Sequence, residues 1–156
     1  MKLAFVQRCF LLVIGIWLGL VCGVGYLVAP SIFKVLADRQ VAGVVAGEVF
    51  KNTALLTILV MIVLLSLAQY LSASGLVIYR RVRWYIAIIC LLTILGIFVI
   101  QPMMTELRDA ALLQGLPVMQ TRHAQLFGVL HAISSLIFLL EAVLGFGVFW
   151  KLTKQD

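Results

Sequence analysis

The chain has 156 residues, 64% of them apolar and 12% charged, and a formal net charge of +6. A soluble domain is usually about 45–50% apolar and about 25% charged, so a globule of this size cannot hide that much apolar surface from water, and lipid must be the solvent for much of it. The positive balance does not mark a nucleic-acid binder: the basic residues sit at the ends of apolar runs, no basic stripe carries interleaved aromatics, and Arg80, Arg81 and Arg83 form only a short loop.

In chain order, the first uncharged run is Cys9 to Ala29. It would span about 31 Å as a helix, against a hydrocarbon core of about 30 Å. That is too long for the apolar segment of a signal peptide, about 7–15 residues, so it reads as a retained span. The second run is Thr53 to about Val77, the third Trp84 to Gln101, and the fourth Ala124 to Trp150, interrupted by His131 and Glu141. Each is long enough to cross. The expectation is an all-α integral membrane four-helix bundle forming a single four-span domain over residues 1–156. Cys9, Cys22 and Cys90 lie within these runs without a CxxC pair, and read as small buried thiols.

Four spans place both termini on one side. Lys2, Arg8, Arg80, Arg81, Arg83, Lys151 and Lys154 fall on that side in short segments that hug helix ends. This is where the positive-inside bias acts, so both termini are expected in the cytoplasm, with the protein in the bacterial inner (plasma) membrane. Trp84 and Trp150 fit an aromatic belt on the same face.

The two outer connections are long. In the first, the spacing of Ile32, Phe33, Val35 and Leu36, and of Val41, Val44, Val45 and Val49, predicts short amphipathic helices on the membrane surface or against the bundle. Pro30 and Pro102 are expected to break the helices at the ends of spans one and three, and Gly115-Leu116-Pro117 to break the second connection. The halves look alike, each a span, a proline, a helical stretch with Leu and Asp (Leu36 and Asp38, Leu107 and Asp109), and a return span. A parallel two-hairpin repeat would give this pattern.

Within the bilayer, Gly15, Gly19 and Gly23 recur every four residues, a ridge that lets another helix approach closely. The partner would be another span or a second copy in a homo-oligomer. Glu141 is the only acid well inside a span, and an intramembrane carboxylate is a functional candidate by default. His131 enters the same span from the outside, with Ser135 and Phe138 following on its face. His123 is offset by about 80° and forms no i, i+4 metal clamp with it. Met103 and Met104 could be soft copper ligands, but no multi-ligand motif accompanies them, so no metal or cofactor is expected. No phosphate loop, HExxH motif or nucleophile–base arrangement is visible, and the chain does not read as an enzyme.

Two segments, Val28 to Phe50 and Arg122 to Glu141, carry an Ala-Pro-x-x-Phe turn, an Ala-Gly…Gly…Phe segment and a Phe-x-x-x-His-x-x-Ser entry to the last span. The positions are Ala29, Pro30, Phe33, Ala42, Gly43, Gly47, Phe50, Phe127, His131 and Ser134. On these motifs the chain resembles the bacterial membrane family called domain of unknown function 4149, similar to eukaryotic transmembrane protein 205. The resemblance implies four spans and brings no established activity with it. The leading expectation is a non-enzymatic inner-membrane protein whose polar centre, on the outer face, is built from Arg39, Arg108, His131 and Glu141, with Glu106 and Asp109 as candidate ion-pair partners. The alternative is a small-solute or metal (copper or haem) handling protein that uses His131 and Glu141.

Overall fold

The structure, a computed structural model, describes residues 2–154. Helix α1 (Lys2–Gly23) runs through a π turn (Val24–Val28) into α2 (Ala29–Val35), and α3 is Arg39–Ala73. Helix α4 (Val77–Leu95) runs through a second π turn (Gly96–Ile100) into α5 (Gln101–Leu113), and a 3₁₀ turn (Val118–Gln120) precedes α6 (Ala124–Thr153). No strand occurs among the described residues, and four stretches are long and apolar enough to cross a membrane: Lys2–Val35, Arg39–Ala73, Val77–Leu113 and Ala124–Thr153. The molecule is an all-α integral membrane four-helix bundle.

Short helices occur in the outer connections as α2 and α5, but the Val41–Val49 stretch expected as another is the start of the long α3, and the prolines do not end the spans. A proline in a helix lacks its N–H, and its ring clashes with the carbonyl four residues back. Here the residue before each proline donates five residues back instead: Ala29 N–H to Val24 O, and Gln101 N–H to Gly96 O. The widened turn takes up the misfit, so the chain passes Pro30 and Pro102 and stays helical. The two π turns begin 72 residues apart, as do the two prolines. This is the strongest sign of the two-hairpin repeat. The repeat is imperfect at the return helices: Asp38 caps α3 by accepting from the N–H groups of Gln40 and Val41, whereas α6 starts at His123 without a side-chain cap.

Glycine ends two helices. Gly75 (φ 94°) follows α3 and Gly115 (φ 67°) follows α5, both in the left-handed region that other residues resist. Leu76 N–H bonds to Leu71 O and Leu116 N–H to Ala111 O, each reaching back five residues, which satisfies carbonyls the helix end would orphan. The first closes the tight α3–α4 hairpin. The second makes the Gly115 break the sequence predicts.

The core lies in the half of the bundle nearer the termini. Phe10, Ile14, Trp17, Leu18 and Val21 of α1 interlock with Met61, Leu64, Ala68 and Leu71 of α3, with Tyr79, Val82, Ile86 and Ile89 of α4, and with Ala142, Val148 and Leu152 of α6. Among the glycines, Gly145 of α6 is the most tightly enclosed. A Cβ there would overlap the Trp17 ring and stand 2.8 Å from Leu18 Cδ2. The residue that lets these helices meet is therefore Gly145, outside the predicted ridge. Gly15 has Phe149 at 3.6 Å, but nothing lies within 4 Å of where a Cβ would stand on Gly19 or Gly23. Of the ridge only Gly15 meets another helix of the chain, and Gly19 is exposed.

Candidate functional site

Beyond Trp17 the bundle opens. A cavity of about 1130 Å³ occupies the half nearer the two connections, bounded by all four spans. Its floor is polar, with two hydrogen bonds between helices. The Trp17 indole donates to Thr57 Oγ1 at 3.0 Å, and the Thr93 hydroxyl donates to Glu141 Oε1 at 2.8 Å. Glu141 is only 5% exposed, and a carboxyl this deep in a span needs such a partner. The partner comes from α4.

The walls are aromatic and aliphatic. Phe50 and Phe138 meet edge to face at 5.1 Å. Phe138 also presses on the π turn, where a Cβ on Gly25 would lie 2.6 Å from its ring. On α6, His131, Ser135 and Leu139 are exposed and also line the cavity; on the first helix Tyr26, Pro30 and Phe33 do the same. Spaced by three or four residues, each set forms one stripe along its helix. The stripes are the two edges of a cleft, and α3, α4 and α5 form its back wall.

The mouth is cationic. Arg39 opens α3, and Arg108 reaches across from α5. The Arg108 guanidinium lies over Gly47, its Nη1 3.5 Å from where a Cβ would stand, an ordinary contact distance. Gln101 also reaches Gly47, its Nε2 3.4 Å from the carbonyl oxygen. Neither arginine has a carboxylate within 4.0 Å: the one ion pair among the described residues is Lys51–Glu48, at 3.7 Å. Glu106 and Asp109, expected as partners, are exposed on α5 without pairing to either. Asp38 lines the mouth, but one of its oxygens is engaged by the Gln40 and Val41 N–H groups. The Gln40 Nε2 beside it is buried with no partner.

The structure thus brings Arg39, Arg108, His131 and Glu141 to one cavity, strung from mouth to floor rather than gathered at a point. Ala29, Pro30, Phe33, Gly43, Gly47, Phe50, Phe127 and Ser134 line the same cavity. Gly15, Gly19 and Gly23 do not. Sequence reasoning missed Thr57, Thr93, Gln101 and Gln40. The available signal was an isolated hydroxyl or amide in an otherwise apolar stretch. Among the described residues no three His, Cys, Asp or Glu side chains gather as a metal would require. His123, outside the cavity, accepts from Arg122 Nε at 3.0 Å.

Fold and site together define a multi-pass membrane protein with a laterally open, cation-mouthed cleft between its first and last spans. Residues 12–112 match the family described as Domain of unknown function (DUF4149), and the chain belongs to it. The match ends within α5, so the α6 wall with Phe127, His131 and Ser134 lies beyond it. No curated protein and no solved structure matches the chain.

Proposed function

We propose that this is a non-enzymatic bacterial inner-membrane protein that binds a ligand in the cleft, with the cleft mouth on the outer face and both termini in the cytoplasm. The observation that carries the reading is the cavity itself: large, apolar-walled, and supplied at its mouth with two arginines that have no carboxylate among the described residues within 4.0 Å. Binding pockets are typically apolar with a few polar groups that orient the ligand. The polar groups here stand at successive depths and do not converge on one reacting atom, which favours binding over catalysis. The competing reading, solute or metal handling through His131 and Glu141, asks these two to act together. They stand ten residues apart on α6, about 15 Å along the helix.

The test is co-purification. The full chain extracted in non-ionic detergent should carry a bound small molecule, seen by mass spectrometry, that a Ser134→Trp variant filling the cleft has lost. An identical set of bound molecules in the folded variant would sink the reading. Orientation rests on the seven Lys and Arg at the terminus end, from Lys2 to Lys154. A C-terminal fluorescent reporter that folds only in the cytoplasm should light up, and a C-terminal phosphatase that works only outside it should stay silent. The reverse pattern would invert the topology.

A further inference from the structure

The cleft has the dimensions and polarity of a site for one membrane amphiphile. We infer that its ligand is an anionic amphiphile, a lipid or fatty acid whose head sits at Arg108 and Arg39 and whose apolar chain lies in the cleft. This rests on the reading of the cleft as a ligand site and names the ligand's class.

Depth is the first argument. The Arg108 guanidinium sits at the level of Gly47 on α3, and the floor is at Thr57 on the same helix. The ten residues between them rise about 15 Å, half of a hydrocarbon core of about 30 Å. That is one leaflet, the depth one lipid chain occupies. The second argument is access. About 20 residues above Trp150, the helix length that crosses the hydrocarbon, α6 has reached Leu130. The exposed edge from His131 to Leu139 therefore lies just inside the leaflet nearer the connections, facing Tyr26 and Phe33 across the opening. A chain can enter from the side without leaving the apolar phase.

Charge is the third. A guanidinium presents N–H donors in a fork that matches carboxylate and phosphate. The fork of Arg108 rests against Gly47 and has no acid among the described residues within 4.0 Å. At the floor, Trp17 donates to Thr57 and Thr93 is hydrogen-bonded to Glu141 Oε1, so these polar groups face each other as well as the cleft. A small polar anion would satisfy the mouth and leave the apolar walls wet. A neutral hydrocarbon would fill the walls and leave both arginines without a counter-charge.

The test is native mass spectrometry of the full chain in non-ionic detergent, titrated separately with dioleoyl phosphatidylglycerol, oleate, dioleoyl phosphatidylcholine and inorganic phosphate. One-to-one binding of phosphatidylglycerol, of oleate or of both is expected, and which of them binds identifies the source of the head group. Phosphatidylcholine should bind about tenfold more weakly, the scale of one charge-assisted contact. Arg108→Gln should weaken the anionic ligand by about tenfold and leave phosphatidylcholine unchanged. Arg39→Gln is read the same way and serves if the first variant fails to fold. Equal affinity for the two phospholipids, or binding of inorganic phosphate without either amphiphile, would overturn the inference. Neither result touches the cleft reading, which falls only if Ser134→Trp keeps everything the native chain carries.

Discussion

Two residue pairs decide how the apolar interior tolerates its exceptions. Glu141 and Thr93 sit on different helices, 48 residues apart in sequence, and are hydrogen-bonded to each other. Removing one side of such a pair leaves a buried polar group unmet, whereas removing both does not. Thr93→Val should therefore lower stability by about 1–3 kcal/mol, and the double variant Thr93→Val with Glu141→Leu should recover most of it. Denaturant melting in micelles measures both; a double variant as weak as the sum of the singles would show that the pair is not coupled. Gly145 is the second case. With the Trp17 ring and Leu18 already where a side chain would go, Gly145→Ala should cost about 1–3 kcal/mol through overpacking. Gly19→Leu should leave the monomer's melting unchanged, because no atom lies within 4 Å of the added Cβ. A fall in its melting temperature would show that the predicted ridge packs within the fold.

At the scale of the element, the two π turns are the feature that shapes the cleft. Gly25 and Tyr26 of the first and Gly96 and Ile97 of the second line it, and each turn stands directly before a proline that would otherwise kink or end the helix. π turns recur at functional sites because they re-aim the side chains around them. Since the helix already passes Pro30, Pro30→Ala should leave the helical ellipticity of the protein unchanged in circular dichroism. A clear gain in helicity would mean that the proline breaks the chain after all. Both turns were invisible in sequence. Proline marks a place where the ladder must change, but either a break or a widened turn answers that demand, and the choice depends on whether tertiary contacts hold the continuation in place. Here α2 packs back on α3, and α5 packs on α6.

At the scale of the whole molecule, stability and openness are segregated. The core joins the spans near the termini, and cations there are tied down: Lys151 Nζ donates to Tyr85 Oη at 2.8 Å and lies over its ring, Lys154 covers Trp150, and Arg83 donates to Gln69. The other half surrounds a cavity. Local opening follows low contact density, so amides of α2 and α5 should exchange with solvent deuterium faster than those of α3 between Met61 and Leu71. Uniform protection from one end to the other would contradict that division. Occupation of the cleft by the proposed amphiphile should slow the exchange of α2 and α5, since binding to the folded form alone stabilises it.

The sequence by itself determined the solvent, the number of spans, the common side of the termini and the residues from which a site could be drawn. These follow from composition and run length, because in lipid a span must satisfy its own backbone and so must be a helix of a set length. The arginines and the lone carboxyl were legible for the same reason, since charge in or beside an apolar span is rare enough to stand out, but the lack of partners for the arginines was not. Only the tertiary structure decided that Arg39, Arg108, His131 and Glu141 share one cavity, that Thr93 partners Glu141, and that Gly145 rather than the glycine ridge brings α1 and α6 together. The physical reason is that apolar periodicity tells which residues avoid water. In a membrane nearly every face does, so which faces meet each other and which meet lipid is settled by side-chain packing between helices.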